Sequence, residues 1–260
     1  MGRIEGGAVK EGGTHSCAAL AGYERLEGGA FTVVHPPRLT ERAAEVRDLL
    51  ESGAASLSEL LGVEPPVIEA LLVADEDWGE APRENERPYP PGLPYFTRAA
   101  SPPTLVLPVT LSPALRPRTD ATGALVLWHE LAHAFLLSVP LPRTPPWLRE
   151  FLPQTLSAAL ARRAGLPLDE HLKEIERDGA YVTVRDSLHG AGAQRQMGLQ
   201  NLLLALGAAA VEEFGEGFLG ELAHALWSER DVVDEDKAEA LLATSLGPGG
   251  REWLLSRPEF

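Results

Sequence analysis

Cysteine occurs once in the 260 residues, as Cys17, and this scarcity excludes an internal disulfide framework and any metal centre built from several thiolates. A metal here must rest on histidine and carboxylate. Basic residues are also few: 23 Lys and Arg against 38 Asp and Glu leave 23 − 38 = −15, with no basic tract. A surface that follows phosphates needs clustered cations, so neither nucleic acid nor an anionic membrane surface is an expected partner. Long apolar runs are missing as well. No stretch reaches the roughly 18 uncharged apolar residues of a membrane span, and residues 1–20 carry glycine and charge where a signal peptide has an apolar core. The expectation is a cytoplasmic protein without a membrane span, its oligomeric state unspecified. With 44% hydrophobic residues the chain can bury a substantial core, which excludes disorder.

The first 25 residues, rich in glycine and without periodicity, read as a loose tail. A β-rich run at 30–34 ends at Pro36 and Pro37. Thr40 is expected to cap a helix whose apolar positions continue to Leu61, with Gly62 as its stop. Runs at 67–73 and 104–109 read as buried strands, and Pro108, which cannot donate to a ladder, places the second at a sheet edge. Between them the chain is dense in proline (Pro82, Pro88, Pro90, Pro91, Pro94, Pro102, Pro103) and reads as a flap. Beyond Asp120 the pattern turns helical, with segments at 121–138, 147–164, 169–175, 194–214, 217–227 and 234–242. The fold class is therefore α+β. A small mixed β-sheet lobe with helices (26–140) precedes a mainly α-helical lobe (141–260), with the active-site helix between them.

The chemistry concentrates in Trp128-His129-Glu130-Leu131-Ala132-His133. Four residues apart on a helix, His129 and His133 project from one face and can share a tetrahedral zinc. Glu130 follows the first histidine, where a carboxylate reaches a water on the metal without ligating the metal itself, the position of a general base. In an apolar helix, two histidines and a glutamate are costly to bury unless paired or bound. A catalytic zinc needs a third protein ligand and an open position. Position 139 is Val139, which excludes a third histidine six residues on. A carboxylate candidate follows at Glu150, just inside the helix that Pro145 and Pro146 open.

His129-Glu130-Leu131-Ala132-His133 together with Pro146-Trp147-Leu148-Arg149-Glu150 resembles the gluzincin metallopeptidases, most closely the bacterial peptidase-MA-like group with a thermolysin-type catalytic lobe. The resemblance implies a zincin-like helix, one zinc per chain held by His129, His133 and Glu150, Glu130 as base, and a peptide or protein substrate. It implies hydrolysis of peptide bonds, as a zinc metalloendopeptidase, with the substrate lying along the edge strand around 105–109. The Phe214–Gly215 pair closing a long helix also matches. Three positions depart from the pattern: Phe151 follows the ligand directly, Pro153 stands three residues after it, and Gln154 stands where relatives often carry a carboxylate. Tyr181 and His189 are the nearest candidates for an oxyanion-stabilising group. His15, His35, His171 and His224 read as surface or interface residues. A catalytically degenerate zinc- or peptide-binding module and a helical scaffold with two buried histidines are the competing readings.

Overall fold

The computed structural model describes residues 20–84, 91–111, 121–177, 183–184 and 193–260. The chain is α+β. Its sheet has five strands, β1 (Glu24–Leu26), β2 (Thr32–His35), β3 (Glu69–Val73), β4 (Tyr95–Thr97) and β5 (Thr104–Pro108), in the order β1-β2-β3-β5-β4. The inner three run parallel, and β1 and β4 close the two edges antiparallel. Among the described residues eight α-helices accompany it: α1 (Thr40–Leu61), α2 (Ala121–Leu136), α3 (Pro146–Arg163), α4 (Leu168–Arg177), α5 (Ala193–Phe214), α6 (Gly217–Ser228), α7 (Glu235–Leu246) and α8 (Gly250–Leu255). Among the described residues no helix is long and apolar enough to cross a membrane.

The inner strands are buried on both faces, so they read as unbroken apolar runs rather than alternating ones. Alternation still sorts their side chains. Val33, Ala70, Leu72, Leu105 and Leu107 join the main core beneath α1 and α2. Val34, Leu71, Val73 and Val106 face a smaller cluster closed by Trp78 and Tyr95, whose rings meet edge to face at 5.8 Å.

Two expectations about this sheet are corrected. The first concerns β5, which is an inner strand between β3 and β4 and not the edge. Val109 N–H donates to Val73 O at 3.0 Å, so alternation turns the Pro108 nitrogen to the opposite side. There β4 has already ended: Tyr95 pairs with Val106, and the missing donor of Pro108 faces no strand. The second concerns the proline-dense stretch, which holds the true edge strand, β4. Its flanks fold onto the body of the sheet, with Tyr95 OH donating to Pro82 O at 3.0 Å and Arg98 N–H to Glu84 at 2.8 Å. Pro88 and Pro90 lie outside the described residues. At the other edge, β1 extends into the stretch read as tail.

Local signals act as physical chemistry requires, with one exception. Gly62 takes the left-handed conformation, φ 65°, and returns its N–H to Ser58 O at 2.8 Å, ending α1. Thr40 is not the cap. A 3₁₀ turn at Pro37–Leu39 leads straight into the helix, and the Thr40 hydroxyl donates backward to Pro37 O at 2.9 Å. Asp234 does cap α7, accepting from Lys237 N–H. Gly53 of α1 lets α2 approach closely: a Cβ there would lie 2.5 Å from the Trp128 ring, whose indole N–H donates to Leu49 O at 2.9 Å.

Tyr23 fastens the start of the described chain. Its hydroxyl donates to Asp77 at 2.9 Å and accepts from Ala74 N–H at 3.0 Å. Burial, aided by the Asp77 and Glu76 carboxylates and opposed by the Ala74 N–H, pushes the phenol up to about 12. A folded value above the unfolded one, about 10, means that the folded state holds the proton more tightly. The contribution is complete below about pH 10 and is lost as pH climbs towards 12. Tyr23→Phe is therefore expected to cost about 1–2 kcal/mol at pH 8, for two hydrogen bonds, and less at pH 11. Urea unfolding at the two pH values measures the difference, and an equal loss at both would contradict this account.

Candidate metal centre

The site is built where α2 meets α3. Nearly every residue of α2 is buried, which fixes the rotation of the helix and leaves His129 and His133 on the face towards α3. In α3, Trp147 sets the position of Glu150. The Trp147 side chain is 1% exposed, its N–H donates to Glu235 at 2.6 Å, and its ring packs edge-on to Phe260 and Phe151 at 5.4 and 6.5 Å. Glu150 falls in the second turn of α3 rather than the first, and its carboxylate points back at the two imidazoles.

His129, His133 and Glu150 form one group able to hold a metal ion. The two Nε2 atoms are 3.1 Å apart, and Glu150 Oε2 lies 3.4 Å from each. Ligand atoms about 2.0–2.1 Å from a tetrahedral zinc must stand about 3.3–3.4 Å from one another. Two imidazole nitrogens and one carboxylate oxygen are also the donor set that suits this ion, so the residues fit it. A tetrahedral ion held by these three residues would keep its fourth position open.

The electrostatics follow from burial and crowding. Burial would raise the Glu150 carboxyl, but the charges and hydrogen bonds of His133 and His129 outweigh it and hold the group well below the ordinary carboxylate range. Burial works against a charged His133 too, yet Glu150, with a smaller contribution from Glu130, raises its affinity for a proton. Glu130 sits beside the group, half-buried. Desolvation raises its carboxyl despite the neighbouring histidines, and one backbone donor, Phe96 N–H on β4, opposes that rise. The base candidate thus bridges the active-site helix and the edge strand.

One residue that contacts the group was not foreseen from the sequence. Gln200 of α5 donates from Nε2 to Glu150 Oε2 at 2.8 Å, while its Oε1 accepts from Gln154 of α3. The carboxylate can only accept, so the amide orientation is dictated along the whole chain. Gln154, one helical turn after Glu150, therefore acts through Gln200. The signal is faint: a lone glutamine, 50 residues beyond the carboxylate it steadies. Outer partners of this kind are worth about 10–100-fold in metal affinity. Gln200→Leu is expected to weaken zinc binding by that factor with the fold intact, as read by competition with a chromogenic chelator. Unchanged affinity would reduce Gln200 to a packing residue.

Other expectations meet the structure unevenly. Phe151 does not narrow a cleft, because it is fully buried in the core. Pro153 is the eighth residue of α3, where its absent N–H would have met Arg149 O, so it interrupts a formed helix and not a free first turn. The Phe214–Gly215 pair does end α5, with Gly215 at φ 74°. His35 and His171, read as surface or interface residues, are buried, while His224 bridges α6 to Leu61 O at 2.8 Å. The nitrogen Nδ1 of His129 is buried without a hydrogen-bond partner among the described residues. Tyr181, His189, His15 and Cys17 lie outside the described residues.

No family profile and no curated protein matches this chain. Solved structures do. Native leukotriene A4 hydrolase from Saccharomyces cerevisiae superposes with a TM-score of 0.56 at 13% identity, over 91% of this chain and 38% of its own. The yeast LTA4 hydrolase in complex with bestatin gives 0.56 at 14%, with the same coverage. The likeness is one of fold, and this chain spans well under half the length of those proteins.

Proposed function

We propose that this chain is a zinc-dependent metallopeptidase of the gluzincin kind, with one zinc per chain on His129, His133 and Glu150 and with Glu130 as general base. The observation that carries this reading is the spacing of the three ligand atoms, 3.1, 3.4 and 3.4 Å, the edges of a tetrahedral zinc site. When bound, zinc supplies Lewis acidity that polarises a scissile carbonyl and lowers the pKa of water at the open position.

The chain's own residues do the rest. Glu130 takes the proton of the attacking water on its carboxylate and returns it to the leaving nitrogen, a role suited to a carboxyl raised by desolvation. Gln200 and Gln154 hold Glu150 in place. The substrate lies along β4, which replaces β5 in this role because β4 is the outer strand. The cleft runs between the lobes 26–140 and 141–260, and cleavage is endopeptidic. Phe151 and Pro153, two of the departures from the family pattern, are both buried in the packing of α3.

The test is metal content by plasma mass spectrometry on untagged protein, followed by peptide cleavage with and without chelator. About one zinc per chain, and cleavage that a chelator abolishes and zinc restores, is the expected result. A chain that takes up no zinc after reconstitution rules the reading out.

A further inference from the structure

A cavity of about 380 Å³ opens between the sheet and the end of α2. Its walls include Val67, Phe96, Pro103, Ala134, Leu137 and Pro140, and among the described residues Arg98 supplies its one charged side chain. Residues 130, 134, 137 and 138 share one face of a helix, so the cavity continues the stripe that begins at Glu130, one to two turns further on. Phe96 joins the two places: its backbone N–H meets Glu130 while its ring lines the cavity. Val67, at the rim, is 84% exposed, an unusual cost for a β-branched residue on a protein so rich in acid.

Arg98 follows β4 directly, two residues beyond Phe96, and lines the same cavity. One guanidinium nitrogen donates to Leu137 O at the end of α2, which holds the group at the mouth, and its other donors remain exposed. Among the described residues it lies in no ion pair closer than 4.0 Å. A guanidinium held at one nitrogen, without an ion pair among the described residues and lining an apolar cavity, is suited to receive a carboxylate. On a chain of net charge −15 it is also a local reversal of the field that would otherwise repel acidic ligands.

A peptide lying antiparallel alongside β4 passes its amino-terminal half across this region, because Arg98 and Pro103 lie at the carboxyl end of β4. We infer that the cavity selects the substrate: it takes a large apolar side chain on the amino-terminal side of the scissile bond, next to a carboxylate that Arg98 binds. The substrate class is therefore an acidic peptide with a bulky apolar residue, and this rests on the peptidase reading for the path along β4 and for the scissile bond.

Binding tests it without requiring turnover. Fluorescence anisotropy is measured on the zinc-loaded Glu130→Gln protein with four labelled decapeptides that combine Phe or Ala at one position with Glu or Gln beside it. The Phe–Glu peptide should bind best, by about tenfold over Phe–Gln, the usual worth of a charge-assisted contact. Arg98→Gln should erase the Glu preference and keep the Phe preference. Ser138→Phe, at an exposed position on the rim, should erase the Phe preference and keep the other. Equal affinity for all four peptides, or preferences that both variants leave intact, overturns the inference. Selective binding in a wild type that cleaves none of the peptides would refute the peptidase reading and leave the cavity assignment standing. Cleavage without selectivity would do the reverse.

Discussion

Glu130→Gln is expected to keep about one zinc per chain and to lose at least about 100-fold in peptide cleavage, the usual worth of a general base. The substitution is close to isosteric. A glutamine oxygen can still accept from Phe96 N–H, so the link between α2 and β4 survives. What disappears is the proton acceptor, at a site where desolvation has raised the carboxyl above its ordinary range. Zinc assay and kinetics on the same preparation decide the matter. A variant with full zinc and wild-type rates would show that the proton goes elsewhere, and Glu130 would then be a bridge between helix and strand only.

Glu150→Ala is expected to empty the site. Two imidazoles alone make a poor zinc ligand set, and the loss should exceed the 10–100-fold expected for removing an outer partner such as Gln200. Stability gives an independent readout. A ligand at about 1,000 times its dissociation constant adds about 4 kcal/mol to the folded state, which for a chain of this size is on the order of 10 °C in Tm. Zinc should raise the Tm of the wild type by that order and leave Glu150→Ala unmoved. Acid should release the metal from the wild type, because Glu150 strengthens the hold of His133 on a proton that competes with zinc. A variant that binds zinc as tightly as the wild type would displace Glu150 from the ligand set.

How much of this could be read in the sequence depended on the range over which each signal acts. The helix α2 announces itself, because His129 and His133 reach a common point through the spacing of one element. The inner strands do too, since burial on both faces writes itself as continuous apolar runs. The edges were illegible for the opposite reason. β4 has three residues, sits among prolines, and exists by virtue of its pairing with β5, a contact no local pattern encodes. Pro108 then misled, because a proline forbids a donor on one side of a strand, and only the position where β4 ends shows that this side is free. Glu150 was visible through its motif. Gln200 was not, because its role depends on the packing of α5 against α3, where Gly207 permits such close approach that a Cβ would fall 2.2 Å from the Thr155 hydroxyl.

The short strand β4 also protects the molecule from itself. Thr104, Leu105, Val106 and Leu107 are uncharged and almost wholly buried, the composition of segments that pair readily with neighbouring chains when exposed. The proline-dense stretch looks expendable, yet trimming it would strip β5 of its cover and turn an inner strand into an adhesive rim. The guard itself is poorly suited to self-association: it is three residues long, bounded by Pro94, and followed by a cation at Arg98. The strand that would accept a peptide is thus also the one that keeps the sheet from growing.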